Sequence, residues 1–263
     1  MQFYRIKALI ERNFLITFRG LDPLVDFFYW PFYDIMVWGF TAHWLQTSQV
    51  SGSHSTLAIL SALVLWQASY RANLDVSLNF LTELWARNIV NLFATPLQLS
   101  EWIVSALLVG SINTCIAVSF GMLAVWLLYG IIIPSVGWML IPFFISLALS
   151  GWTVGFLTAA CLAYWGQSVQ KLVWVMGWFF VPFSAVFYPL EVLPSWAQVI
   201  ARVLPMTYIF EGIRSFIGTQ RIPLDYLLIS FGLNCIYLTL ALIAFNTAFK
   251  KSRTRGLARL ELE

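Results

Sequence analysis

The sequence predicts an all-α integral membrane protein with six transmembrane helices, and three observations predict it. Of 263 residues, 60% are hydrophobic and only 10% are charged, against roughly 25% charged in soluble domains. The apolar residues gather into six runs, near 27–45, 57–80, 101–129, 136–164, 171–188 and 224–249, and a spanning helix needs about 20 such residues. Lysine and arginine collect at the two ends of the chain. Open sheet edges cannot face lipid, so the runs read as helices. The whole of 1–263 reads as one transmembrane domain with no large soluble part.

Residues 1–25 come first. Phe3, Ile6, Ile10 and Phe14 recur at helical spacing, and Arg5, Arg12 and Arg19 form a basic stripe. This pattern predicts an interfacial amphipathic helix lying on the membrane surface. Its role is either to anchor on anionic lipid or to dock a partner. The mixed charges ahead of the first run are unlike a cleavable signal peptide. Between the runs, Gln46–Ser55 is rich in serine, glutamine and glycine, and Ile133-Pro134-Ser135 is short. Thr95-Pro96-Leu97-Gln98 fits a capping box with proline at the first helical position, so the third span is expected to begin there. On the fourth run, Gly151, Gly155 and Ala159 form a small-residue stripe suited to close helix packing.

Charge placement sets the expected orientation. Arg5, Lys7, Arg12 and Arg19 precede the first run, and Lys250, Lys251, Arg253, Arg255 and Arg259 follow the last. The positive-inside rule puts both termini in the cytoplasm, which requires an even number of spans. Segment 82–100 and the 165–171 turn are then cytoplasmic, and 189–223 is external. Arg202, Arg214 and Arg221 in that external segment run against the rule and are outnumbered.

The external segment is the most distinctive stretch, FYPLEVLPSWAQVIARVLPMTYIFEGIR from Phe187 to Arg214. It is too polar to span and too apolar for an ordinary loop. Pro189, Pro194 and Pro205 cut it into short pieces. Ser195 with Gln198 fits a capping box, so one helix is expected from Ser195 and a second from near Thr207 to about Phe216. The reading is a re-entrant helical hairpin that shapes a gate, with Glu211 and Arg214 pairing inside it or across to another copy.

Two further groups are candidates for function. The cytoplasmic stretch ELWARNIVNLFATPLQLSE, Glu83 to Glu101, places Glu83 and Arg87 at i, i+4. Leu84, Asn88 and Asn91 lie on one side of the predicted helix, and Trp85, Ile89 and Leu92 on another. Such a helix either docks into a groove on a partner or lies at the interface unpartnered. Away from the ends of the runs, Asp34, Arg71 and Asp75 are the charged residues, and such residues are costly in lipid. Arg71 and Asp75 can pair along one helix. Asp34, in the aromatic FFYWPFYDIMVWGF, either pairs with Arg71 or faces a polar cavity. The aromatic residues there either line a path or serve packing and lipid contact.

Much chemistry is excluded. There is no phosphate-binding G-x-x-x-x-G-K-[ST], no H-E-x-x-H and no G-x-S-x-G. Cys115, Cys161 and Cys235 lie inside apolar runs without metal-site spacing. His43 and His54 have no evident metal partners, so no metal site is expected. Neither enzymatic catalysis nor a nucleic-acid partner is expected.

The layout resembles the membrane-spanning subunits of ABC-2 type exporters. The resemblance rests on Tyr188-Pro189, Leu193-Pro194, Pro205-Met206-Thr207 and Glu211 with Arg214, and on the ELWARNIVNLFATPLQLSEW loop after span two. Leu204 departs from the asparagine common in carbohydrate exporters of that family, a tilt toward drug and lipid exporters. The resemblance implies a non-catalytic permease in the bacterial inner membrane, in contact with membrane lipids. It implies that Glu83, Trp85, Arg87, Asn88 and Asn91 couple to a separate ATPase subunit. ATP and Mg would be bound by that partner, with no cofactor on this chain. A second permease copy would complete the path, as a homodimer or beside a similar chain. Pro189, Pro194, Pro205, Thr207, Glu211 and Arg214 would form the external gate. Two alternatives stand beside it: an ion-coupled secondary transporter using Asp34 or Asp75, and a membrane scaffold.

Overall fold

The computed structural model describes residues 2–20, 24–47, 55–219, 221–257 and 260. Most of the predicted 46–56 loop, with His54, and Arg259 of the tail lie outside the described residues. Among the described residues the chain is helical, with no strand. Helix α1 is Phe3–Arg19, and a π-helical turn, Val25–Tyr29, leads into α2, Trp30–Thr47. Then follow α3, Ser55–Trp85; α4, Ile89–Ala94; α5, Leu99–Tyr129; and α6, Leu140–Trp165. The last four are α7, Leu172–Phe179; α8, Ser195–Val203; α9, Pro205–Thr219; and α10, Leu224–Arg255.

Helix α3 is the axis of the bundle. Of residues 60–77, only Tyr70 is not buried. A helix covered on all sides must find partners for its polar groups as well as its apolar ones. Helix α5 runs antiparallel to it, since Asp75 meets Asn113 while Val64 lies by Gly121. Helix α6 runs parallel, because Gly151 lies against Ser69 and Ala72, and Gly155 against Asn73 and Val76. The small-residue stripe thus serves the α3–α6 seam, and Ala159 is fully buried beyond it. A Cβ on Gly151 would strike the Ser69 carbonyl and lie 2.7 Å from Ala72 Cβ. Helix α10 joins α6 through a buried network: Ser146 and Ser230 hydroxyls are 2.7 Å apart, Asn234 Nδ2 donates to the Ser146 carbonyl at 2.9 Å, and Ser150 donates to Asn234 Oδ1 at 2.8 Å. Polar pairs of this kind hold helices together where lipid supplies no hydrophobic drive.

Among the described residues, three helical stretches are long and apolar enough to cross a membrane: Leu99–Tyr129, Gly137–Val169 and Leu224–Arg255. Their apolar windows differ in burial, 61% inside the protein for Gly137–Val169 and 17% for Leu224–Arg255. The outermost helix is therefore apolar toward its surroundings, as a lipid-facing helix must be.

The predicted run 171–188 is not one continuous helix. Its helical part, Leu172–Phe183, is about 18 Å long, short of the roughly 30 Å apolar layer. Pro182 forces the last turn into 3-10 form, and Ala185 takes φ 55°. The capping signals shift as well. The α5 box is formed by Gln98 and Glu101, with the Gln98 N–H donating to Glu101 Oε2 at 3.0 Å, while the Thr95 hydroxyl turns back to the Leu92 carbonyl. Helix α8 begins at Ser195 as predicted, but Pro194 is its N-cap, and Gln198 Nε2 donates to the Leu193 carbonyl at 2.9 Å.

The glycine seam gives a test. Gly151→Val is expected to cost about 1–3 kcal/mol through overpacking. Gly232→Ala, in α10 with nothing within 4 Å of the added Cβ, is expected to be neutral or stabilising by up to about 1 kcal/mol. Thermal unfolding in detergent should separate the two, and equal melting temperatures would refute the seam.

Candidate functional site

The polar core of α3 supplies the first element. Arg71 Nη2 lies 3.0 Å from Asp75 Oδ1, and both residues are 8% exposed. The pair predicted from spacing is thus formed. The Phe27 ring, fully buried, covers the guanidinium at 4.1 Å. Asn113 Nδ2 donates to Asp75 Oδ1 at 3.3 Å from α5. Among the described residues, Asp75 Oδ2, Asn113 Oδ1 and Trp152 Nε1 are buried without a hydrogen-bond partner. They lie close around Gly110, whose missing Cβ would be 3.6 Å from Trp152 Nε1 and 3.9 Å from Asp75 Oδ2.

Asp34 does not join this pair. It lines a cavity of about 490 Å³ between α2, α3 and α7, within hydrogen-bonding reach of the Gln67 side chain. Of the two readings for Asp34, the cavity is the one the fold adopts. The walls are aromatic: Trp30 and Tyr33 from α2, Tyr70 from α3, Trp174 and Trp178 from α7. The α7 tryptophans and Gln67 escaped sequence reasoning, because periodicity alone does not say which faces of two distant helices meet.

The α8–α9 hairpin is the second element. Its tip packs against α10 and α3, with Pro205 and Met206 buried and Val203 exposed. The Val203 carbonyl accepts from Tyr237 Oη at 3.1 Å, and the Pro205 carbonyl from Ser230 Oγ at 2.8 Å. Ser230 and Tyr237 are about 9 and 20 Å along α10 from its first residue. Met206 Sδ accepts from Ser69 Oγ at 3.7 Å, halfway along α3. The turn between α8 and α9 is therefore held partway along both α3 and α10. Helix α9 starts at Pro205 and ends at Thr219, longer at both ends than expected, because proline suits the first helical turn. Pro194 caps α8, Pro189 precedes the Leu190–Val192 turn, and Thr207 Oγ1 donates to the Phe183 carbonyl at 3.3 Å.

Glu211 and Arg214 pair within the hairpin at 2.9 Å. Arg214 also donates to the carbonyls of Ala185 and Val186, the latter at 2.8 Å, and Glu211 Oε1 accepts the Leu190 N–H at 2.8 Å. One ion pair thus meets three backbone groups of the 184–190 turn. It ties the irregular segment after α7 to α9.

The third element is the elbow after α3. The predicted helix 83–91 is broken here. Helix α3 ends at Trp85, Arg87 takes φ 49°, and α4 starts at Ile89. Glu83 does not pair with Arg87. Its carboxylate, 4% exposed, takes Arg12 of α1 and accepts from Asn88 Nδ2 at 2.9 Å. Burial at this contact lowers the Arg12 pKa below the ordinary arginine value. Leu84 and Ile89 are fully buried, whereas Trp85, Arg87, Val90 and Asn91 are exposed. Trp85 Nε1 donates to Gln170 Oε1 at 2.9 Å, and Gln167 Nε2 to the Leu84 carbonyl at 3.0 Å. The elbow and the 166–170 turn therefore form one surface. Helix α1 docks beside them, with Arg5 bound to the Pro96 carbonyl and 3.5 Å from Glu101. The basic stripe is thus spent partly on protein carboxylates. No group of three or more metal-ligating side chains occurs among the described residues.

No known protein-family model matches the chain, and no curated protein matches it.

The buried pair predicts an asymmetry. Arg71→Ala leaves Asp75 uncompensated and should cost about 3–5 kcal/mol, whereas Arg71→Met with Asp75→Leu should be near neutral. Folded yield and thermal unfolding of the single and double variants check this. The hairpin latch predicts that Glu211→Gln with Arg214→Gln raises protease cleavage within 184–194 severalfold, by freeing two carbonyls and one N–H worth about 1–3 kcal/mol each. An unchanged cleavage pattern would refute the latch.

Proposed function

We propose that this chain is the membrane-spanning permease subunit of an ATP-driven exporter of the ABC-2 type. The observation that carries the reading is the continuity of α3. One unbroken, buried helix runs from the exposed elbow at Trp85, past the Arg71–Asp75 pair, to Ser69 against the hairpin tip. A push at the elbow would reach the gate through a rigid rod rather than through loops.

In this reading α2, α3, α5, α6, the 172–194 stretch and α10 make six crossings. Helix α7 and the turns after it complete the fifth jointly with the hairpin. The end that gathers α1, the elbow and the C-terminus of α10 holds most of the basic residues, which supports placing both termini on the cytoplasmic side of an inner membrane. The exposed Trp85, Arg87 and Asn91 would meet a nucleotide-binding subunit. Glu83 and Asn88 would hold the elbow's shape from within, a different role from direct coupling. ATP-driven closure of two ATPase subunits would tilt two such bundles, a rigid-body transition. The path between them, for a hydrophobic or amphiphilic substrate, would be capped by the α8–α9 hairpin. No phosphate-binding motif is needed on this chain.

One observation favours a second reading, ion-coupled transport: Asp34 faces an open cavity. Asp75 does not share that access, because Arg71, Asn113 and the residues around Gly110 enclose it.

The test is co-purification of the tagged chain from its native membrane, comparing wild type with Trp85→Ala/Arg87→Ala. The expected result is an ATPase subunit bound to wild type, with recovery or stimulated hydrolysis reduced about tenfold or more in the double variant, as for loss of an interface hot spot. Absence of an ATPase with wild type would overturn the reading. Transport that survives ATP depletion and collapses with the proton gradient would establish the second.

A further inference from the structure

We infer that the cavity between α2, α3 and α7 binds a lipophilic organic cation, of the quaternary or aryl-substituted onium class, with Asp34 as its counter-ion. The inference rests on the permease reading in taking this cavity as a station on the substrate path.

The charge balance comes first. Arg71 and Asp75 satisfy one another at 3.0 Å. Among the described residues, Asp34 has no lysine or arginine within ion-pair distance. Among the described residues, it is the only carboxylate lining its cavity, and no lysine or arginine lines it. A carboxylate without a counter-ion at membrane depth is costly and marks a site for a positive partner. Gln67, 3% exposed, holds it from α3.

The walls decide which cation fits. Five aromatic residues line the cavity with the carboxylate, and ring faces attract cations most strongly where water is excluded. The rim rings of Trp30, Tyr33, Trp174 and Trp178 are each more than a third exposed, which leaves the cavity open at one side. Most of the wall is ring carbon rather than oxygen, which favours a cation that needs no hydrogen-bond acceptors over a primary ammonium. A cation with its charge spread over or shielded by carbon loses little on leaving water and needs no such acceptors. The volume, about 490 Å³, suits a drug-sized molecule. A sugar would demand more acceptors and donors than these walls offer.

The experiment uses the full chain in nanodiscs of zwitterionic lipid, with radiolabelled tetraphenylphosphonium as probe and protein-free discs as background. Wild type should bind saturably. Asp34→Asn should raise Kd at least about tenfold, Asp34→Glu should stay within about threefold of wild type, and Trp178→Ala should weaken binding about fivefold or more. Neutral triphenylphosphine oxide should compete at least about tenfold more weakly than the unlabelled cation. Unchanged binding in Asp34→Asn, equal competition by the phosphine oxide, or no saturable binding would each overturn the assignment. If Asp34→Asn does not elute as folded protein, Trp178→Ala and the competition decide it. Failure here with the ATPase still co-purifying removes only the cation. Cation binding without any ATPase removes only the permease reading.

Discussion

The arrangement depends on one constraint: α3 is buried on every side and yet carries arginine, aspartate, glutamine, asparagine and three serines among its buried residues. Such a helix is stable only if each neighbour meets a particular polar group. Asn113 fixes α5 against Asp75, Phe27 fixes the start of α2 against Arg71, and the Val173 carbonyl faces Asn73 Nδ2 at 3.4 Å from α7. The apolar helices around it are interchangeable by composition. The polar side chains of α3 select which neighbour lies where and at what height.

The seam with α6 shows the same logic in steric form. Gly151 and Gly155 let the two backbones approach until the Ser69 and Asn73 carbonyls lie at the glycine positions. Ser77 Oγ then reaches the Gly155 carbonyl at 3.4 Å as well as the Asn73 carbonyl at 2.8 Å. Close approach and polar contact reinforce each other, because both require small residues at that height. Helix α6 carries the constraint onward to α10 through Ser146, Ser150 and Asn234, so the outermost helix is registered to the innermost one.

Most helix positions, the two short helices of the 195–219 hairpin, the Arg71–Asp75 pair and the glycine seam were legible in the sequence, since each depends on spacing within one segment. What was not legible depends on contacts between segments. The i, i+4 spacing of Glu83 and Arg87 suggested a pair, but the helix ends between them, and Arg12 from α1 takes the carboxylate. The run 171–188 read as one span because its composition is uniform, while Pro182 and the left-handed Ala185 divide it. The aromatic cavity could not be foreseen in full, because Trp174 and Trp178 meet Asp34 only through a fold that brings α7 beside α2. Sequence patterns report one helix face at a time, and a site built across three helices leaves its signature in none of them alone.

The position of Glu83 bears on how force would travel on the permease reading. A buried carboxylate tied to both Arg12 and Asn88 joins three things at one point: the surface helix α1, the end of α3 and the start of α4. The positive φ of Arg87 turns the chain sharply there, at a cost of about 1–2 kcal/mol for a non-glycine residue. That conformation persists because Leu84, Ile89, Gln167 and Glu83 over-determine it from the protein side. The elbow is consequently stiff, and its exposed Trp85 and Arg87 cannot move without α3. Halfway along α3, Ser69 and Met206 link it to the hairpin tip, and Arg214 links the hairpin to the turn after α7. The aromatic cavity lies at that same height, walled by Gln67, Tyr70 and Leu74 of α3. A displacement of α3 relative to α2 and α7 would therefore change the cavity and the gate together, so loading and opening would share a single mechanical coordinate.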